Sequence, residues 1–363
     1  MKLILLSAVL LLAVGLTYHH HHEGRSSERD DSNQPSADEC RIIFENSNKT
    51  YPVALQIAFS NEDDLIMKFG AFETDYEKFY GTTQARENAE RNFVLTSAFV
   101  LCHNYMQTFG HFAYKLKINE RADRQFNARG HQSMRDMPNN VFTPGNLPDH
   151  VDWREKKYVS PLIDNQGDCG SCWAFVAAYA TEAEYFKKTG KFRRFSAQQS
   201  VDCVQGTNCE DGGFVSGALR FFTKNGVMGK INYPYTGKDE RCKFQKEKVV
   251  TKINGYRWIN DGSTDSLMQA LAEHGPVAVS VFSNLTSFQE YREGIYEDPA
   301  CQNRLVDHSM LAVGYGHDPV KGRYFIIKNT WGKAWGEAGY MRIRDNGDNP
   351  CGIADQALYP YID

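Results

Sequence analysis

The residue with the most evident chemistry is Cys172, which ends the run Gly167-Asp168-Cys169-Gly170-Ser171-Cys172. The stretch after it, Trp173 to Lys188, is rich in alanine and aromatics and predicts one helix, with Ser171 as N-cap and Gly190 just past the end. A thiol at a helix start meets unpaired backbone N–H groups and the positive end of the macrodipole. Both lower its pKa and populate the nucleophilic thiolate. A histidine brought alongside would complete the activation. Cysteine parity points the same way. Of nine cysteines, Cys169, Cys172, Cys203, Cys209, Cys242, Cys301 and Cys351 lie beyond residue 146, an odd set that leaves one unpaired in an oxidising compartment. Two other chemistries fit the spacing. A redox pair of Cys169 with Cys172 again leaves an odd remainder. A zinc site needs a second close ligand pair, and Cys203 and Cys209 are widely spaced with no histidine near. The nucleophile reading is preferred.

The elements that must position this thiol follow from the rest of the chain. A length of 363 residues predicts about two folded units and an ample core. With 41 Lys+Arg against 45 Asp+Glu, the net charge of −4 excludes a nucleic-acid binder built on a basic face. Hydrophobic residues at 41% and aromatics at 13% exclude wholesale disorder. Met1-Lys2 precedes an apolar run from Leu3 to Leu16, with Ala13-Val14-Gly15 for cleavage. Residues 1–17 therefore read as a signal peptide, and no later run reaches the ~18 apolar residues of a membrane span. The expected product enters the secretory pathway, keeps no membrane attachment after cleavage, and ends lysosomal or extracellular. His19 to His22 have no second ligand set and read as an incidental run, so no metal is expected.

Residues 18–39 are charged and polar and read as a disordered spacer. Phe69, Phe72, Tyr76, Phe79 and Tyr80 recur at helical spacing, as do Phe93, Val94, Ala98, Leu101, Cys102 and Tyr105. Two amphipathic helices and a strand-like piece, His111 to Ile118, predict a small helical unit. Arg121 to Asn146 is turn-rich and reads as an exposed linker open to proteolysis. From Leu147 onward a helical half is followed by strand-like runs: Pro276–Phe282, Met310–Tyr315, Tyr324–Lys328 and Gly339–Arg344, with a turn at Asp318-Pro319-Val320-Lys321-Gly322. This order predicts an α+β fold with a cleft between its halves.

Five motifs, in order, resemble the papain/cathepsin family. Cys169-Gly170-Ser171-Cys172-Trp173 matches its local signature. His308 lies in Val306-Asp307-His308-Ser309, and Asn329 in Lys328-Asn329-Thr330-Trp331-Gly332, followed by Trp335-Gly336. Gln166 sits where the family keeps its oxyanion glutamine, and Leu147 to Arg154 resembles the mature N-terminus. The resemblance implies a two-lobed fold, a helical lobe with a long central helix plus an antiparallel β-barrel-like lobe, spanning 147–363. It implies that residues 18–146 form a propeptide, of which 40–146 is a helical inhibitory prodomain and linker acting as the chain's own inhibitor. It also implies the pairs Cys169–Cys209, Cys203–Cys242 and Cys301–Cys351, with Cys172 free. This chain departs from the family at Cys209-Glu210-Asp211-Gly212-Gly213, where a residue is inserted before the glycines. In the prodomain Glu87 and Arg91 fit the long-helix pattern, whereas Leu95 and Ala98 do not. Ile118-Asn119-Glu120-Arg121-Ala122-Asp123 resembles the second propeptide motif with Arg121 in place of its aromatic. Cys40 and Cys102 either pair with each other or stay thiols.

By that resemblance Cys172 attacks a peptide carbonyl, His308 pairs with the thiolate and then protonates the leaving amine, and Asn329 orients the imidazole. Gln166 and the Cys172 N–H receive the oxyanion. Asp307 is set aside as the orienting group, because adjacent strand residues face opposite ways. Gly212 and Gly213 would pair with an extended peptide. Phe214, Val215, Val306 and Ser309 would wall a pocket floored by Gln356 that prefers apolar side chains. Trp331 would shield the imidazole. The interval from Cys172 to His308 has no room for the insertion of the dipeptide-releasing branch, so an endopeptidase is expected. It acts as a monomer on protein and peptide substrates and needs no cofactor. Asn48-Lys49-Thr50 and Asn284-Leu285-Thr286 are glycosylation sequons. The competing readings are a catalytically weak binding protein on the same scaffold and a disulfide oxidoreductase using Cys169 and Cys172.

Overall fold

The computed structural model describes residues 34–45, 50–124, 147–259 and 262–363. The signal segment, the four histidines, the Asn48 sequon and nearly all of the expected spacer and linker lie outside the described residues. The chain divides into two compact units, one within Met1–His111 and Ala122–Gln125, the other formed by Phe112–Arg121 and Phe126–Asp363.

Among the described residues of the first unit, four helices pack around aromatics: α1 (Ala37–Glu45), α2 (Thr50–Ala58), α3 (Glu62–Asp75) and α4 (Thr83–Thr108). Helix α1 begins inside the expected spacer. Ser36 and Glu39 form a reciprocal capping box, the Glu39 carboxylate accepting from the Ser36 N–H at 2.8 Å and the Ser36 hydroxyl accepting from the Glu39 N–H. Asn61 caps α3 and Thr82 caps α4. Phe69, Phe72 and Phe93 fill the core, with ring centroids of Phe72 and Phe93 4.8 Å apart. The helical period predicted through Tyr80 stops early. Helix α3 ends at Asp75, Phe79 is 91% exposed, and Tyr80 instead donates its hydroxyl to Asp123 at 2.7 Å. Cys40 and Cys102, left open by the sequence, form a disulfide between α1 and α4.

The second unit contains β1 (Tyr114–Leu116), β2 (Val151–Asp152), α5 (Cys172–Thr189), α6 (Gln198–Cys203), α7 (Val215–Asn225), β3 (Val227–Met228), β4 (Val249–Thr251), β5 (Gly255–Ile259), α8 (Thr264–Glu273), β6 (Val277–Val281), α9 (Thr286–Gln289), β7 (Tyr291–Tyr296), β8 (His308–Asp318), β9 (Gly322–Lys328), β10 (Tyr340–Arg344) and β11 (Ala357–Tyr361). The main sheet runs β1-β7-β10-β9-β8-β6-β11-β5, with β2 joined to β8. Its pairings are antiparallel apart from β7 with β10, which is parallel. Strands β6, β8 and β9 carry near-continuous apolar runs because both faces are covered. The β8–β9 hairpin turns where expected, Asp318 accepting from the N–H groups of Val320 and Lys321. One segment differs from its predicted place. The piece carrying β1 belongs to the larger unit, where Tyr114 pairs with Gly294 and Leu116 with Tyr291 on the edge strand β7. The edge of β7 offers partners for the N–H and C=O groups of β1, which a set of helices does not.

Candidate active site

Helix α5 is buried on all sides from Cys172 to Ala183, emerges toward solvent over its last residues and ends on Gly190 at φ 68°. Its N-terminus therefore has a fixed position. Ser171 precedes it but makes no side-chain cap. Its hydroxyl lies 2.6 Å from that of Tyr235 instead. The Tyr235 hydroxyl also lies 2.7 Å from the Gln166 carbonyl, so one phenol ties the helix start to the preceding loop. That loop is anchored again through Cys169, bridged to Cys209, and through Gly170, whose N–H donates to the Cys209 carbonyl at 2.8 Å. A Cβ on Gly170 would sit 2.9 Å from that carbonyl, so the approach requires glycine.

Cys172 is the free cysteine, 5% exposed, and its Sγ lies 3.5 Å from the Ser309 N–H nitrogen. The other eight are joined as Cys40–Cys102, Cys169–Cys209, Cys203–Cys242 and Cys301–Cys351, the last three being the pairs the resemblance implies. With Cys169, Cys203 and Cys209 all bridged, neither the redox pair nor the zinc site has its ligands. The expected low thiol pKa is not what this state presents. Burial pushes the Cys172 thiol up, outweighing the N–H groups of Ser309 and Trp173 that pull it down.

Strand β8 starts at His308, also buried, and its Nε2 lies 2.7 Å from Asn329 Oδ1. Asn329 is fully buried just after β9, and its Oδ1 also accepts from the Thr330 N–H at 2.7 Å. Trp331 stacks on His308 with centroids 4.5 Å apart. Asp307 faces away, accepting from the Ser283 N–H at 2.7 Å, as strand alternation requires. Gln166 is buried and clamped at both ends of its amide: Nε2 donates to the Cys169 carbonyl at 2.9 Å, and Oε1 accepts from the Thr330 hydroxyl at 2.5 Å. No local pattern marks the Thr330 and Tyr235 clamps, which arise only when distant loops meet.

A part-buried ionic cluster joins Asp164, near the start of the first loop, to Lys328, beside Asn329. Asp164 is paired with Arg194 and Lys230, and Arg194 reaches Glu182 at 3.2 Å. Lys328, next to Asn329, donates to the carbonyls of Ser160 and Leu162 at 2.8 and 2.9 Å. Burial raises the Glu182 carboxyl to about 7 and lowers Lys328 to about 8.

Gly213, Phe214, Val215, Ser309 and Gln356 line one depression, joined by Ser216, Trp258, Ser280 and Leu358, which the sequence did not single out. Val306 is not among the lining residues and packs by Gly352, and Gly212 forms a bridge with Asn208. A Cβ on Gly213 would meet the buried Trp173 indole at 2.6 Å, which fixes glycine there despite the inserted residue. A larger cavity of about 490 Å³ lies elsewhere, beside Cys301–Cys351, and holds none of the predicted site residues other than those two cysteines. Asn284 is half-buried just before α9.

The chain is similar to known proteins in sequence and in fold. Residues 147–361 match the papain family cysteine protease domain. Mouse cathepsin K is 36% identical over 323 residues, covering 84% of this chain and 96% of that protein. Human cathepsin L2 is 34% identical over 319 residues, covering 83% and 94%. Among solved structures, digestive procathepsin L 3 of the Tenebrio molitor larval midgut superposes with a TM-score of 0.75 at 30% identity, covering 82% of this chain and 99% of that one. The stem bromelain precursor follows with 0.73 at 29%, covering 82% and 99%. The chain belongs to the papain family of cysteine proteases and is a cathepsin-like zymogen of an endopeptidase.

Proposed function

We propose that Cys172, His308, Asn329 and Gln166 carry peptide hydrolysis, and that residues 18–146 are a propeptide removed to release 147–363. The supporting observation is the meeting of one unbridged thiol, at the start of a buried helix, with the residue after His308, while the His308 ring is oriented by Asn329. On activation the thiol proton passes to His308, giving a thiolate–imidazolium pair. The thiolate adds to the substrate carbonyl carbon, forming the C–S bond. The oxyanion is received by the Cys172 N–H and an N–H of the Gln166 amide. Collapse breaks the C–N bond, and the imidazolium proton goes to the leaving amine. Water, deprotonated by His308, then cleaves the thioester and returns the thiol.

Gly213, Phe214, Val215, Ser309 and Gln356, with Trp258 and Leu358, would hold the substrate side chain two residues before the scissile bond. Phe214, Val215, Trp258 and Leu358 favour apolar side chains there, and Ser216, Ser280, Ser309 and Gln356, which share the lining, add tolerance for polar ones. Passage through the secretory pathway, glycosylation at Asn48 and Asn284, a lysosomal or extracellular destination and action as a monomer complete the reading. Incubating the full chain at about pH 5, with sequencing of the new N-terminus and a fluorogenic peptide assay, tests it. A terminus between Asn140 and Leu147 accompanied by activity is expected. A terminus well outside that span overturns the boundary, and an inactive product overturns the assignment.

A further inference from the structure

The segment Phe112–Arg121 is seated on the peptidase unit by more than strand pairing. Tyr114 and Leu116 turn inward and are buried, and the Tyr114 ring lies 4.9 Å from that of Tyr296. Gly294, at φ 100°, leaves the space the incoming backbone needs, since a Cβ there would meet the Ala113 carbonyl at 2.4 Å. Beyond the strand, the Lys117 N–H donates to the Glu290 carbonyl at 2.8 Å and the Asn119 N–H to the buried Glu290 carboxylate at 3.0 Å. Asn119 Nδ2 reaches the Gln289 carbonyl at 2.8 Å. The segment then ends on a buried arginine. Arg121 is 8% exposed, its Nε donates to Gln289 Oε1 at 2.7 Å, and its Cζ lies 4.1 Å from the centroid of Trp331. Trp331 is the same indole that stacks on His308.

A guanidinium is not taken from water into a protein surface unless its donors and charge are met. Here an amide oxygen accepts from Nε and an indole face lies against the charged plane, and Gln289 is itself fixed by donating from Nε2 to the Ser283 carbonyl at 2.8 Å. We propose that Gln289 and Trp331 form a guanidinium-reading surface on the peptidase unit, and that Arg121 is the specificity-determining residue by which the chain recognises its own pro-segment. The inference rests on the propeptide reading above. The occupant is a short strand followed by a turn that carries the pattern Asn-x-Arg, and the surface selects charge and planar shape rather than apolar bulk. An aromatic at residue 121 would cover the indole but leave Gln289 Oε1 without its donor.

Hydrogen exchange on the full-length chain tests this without reference to catalysis. In wild type, the amides of Lys117 and Asn119 should be protected together with β7. Arg121→Met and Arg121→Phe should each raise their exchange rate about tenfold or more, and Arg121→Lys by a smaller factor, because lysine keeps the charge but loses the fork. Protection of α3, α4 and α5 should stay unchanged in all three. Rates within twofold of wild type in Arg121→Phe would show an apolar plug and overturn the proposal, as would unchanged rates in Arg121→Met. If those two variants do not accumulate, Arg121→Lys decides: faster exchange at Lys117 and Asn119 supports it, and no change refutes it. An inactive processed enzyme with the expected exchange pattern would instead count against the catalytic assignment alone.

Discussion

The Thr330 hydroxyl offers a way to disturb the proposed oxyanion site through Gln166 without removing a residue assigned to the reaction. Thr330 is fully buried, and its hydroxyl donates to Gln166 Oε1 at 2.5 Å. Thr330→Val keeps the shape and removes that donor. Leaving a buried amide oxygen without a partner costs about 1–3 kcal/mol, which should appear as a lower melting temperature. Outright loss of one oxyanion donor costs about 10²–10³ in rate. Thr330→Val retains the Gln166 amide and its bond to the Cys169 carbonyl at 2.9 Å, so the loss should be partial. We expect kcat to fall about tenfold, about 1.4 kcal/mol of activation free energy, with KM nearly unchanged. Gln166→Ala should fall by the full 10²–10³. The double variant should be no slower than Gln166→Ala alone, because Thr330 acts only through that amide. Steady-state kinetics of the four processed enzymes on one fluorogenic peptide supply the cycle. Multiplicative losses in the double variant, or a Thr330→Val enzyme within twofold of wild type, would refute the coupling.

Three further outcomes follow from the same contacts. The Glu182 carboxyl is raised from its ordinary 4.5 to about 7 by burial, so between those values the unfolded chain is ionised and the folded one is not. Its stabilising share is complete below pH 4.5 and is lost as pH rises through 7, and Glu182→Gln should flatten the decline in urea midpoint over that window. The Cys40–Cys102 bridge closes a separation of 62 residues, worth about 4 kcal/mol on the chain-entropy account. The Cys40→Ser/Cys102→Ser chain should therefore lose amide protection in α1 and α4 at urea concentrations that leave α5 protected. Gly213→Ala would drive a methyl to 2.6 Å from the Trp173 indole, and the resulting overpacking should cost about 1–3 kcal/mol of stability by calorimetry and reduce kcat/KM.

What was readable in the sequence divides along physical lines. Cys172, His308, Asn329 and Gln166 stood out because hydrolysis restricts residue type and each sits in a short run of distinctive neighbours. The β8–β9 hairpin was readable from its turn chemistry, and α5 from its closing glycine. Strand β7, Tyr-Arg-Glu-Gly-Ile-Tyr, has neither clean alternation nor an apolar run, and β11 contains Pro360, so neither announced itself. Trp258 lines the depression beside Ser309 only because β5 pairs with the sequence-distant β11. Arg121 was misjudged for a related reason. An arginine reads as a surface residue until a remote amide and an indole are known to converge on it. The α1 capping box, by contrast, was local and could have been found.

The most direct measurement of the central claim is peptide mapping of the processed enzyme after treatment with a thiol-directed epoxysuccinyl peptide, under non-reducing conditions. The account predicts one adduct per chain, on Cys172, formed with loss of peptidase activity, and an intact Cys169–Cys209 pair. An adduct elsewhere, or Cys172 recovered within a cystine, would contradict it.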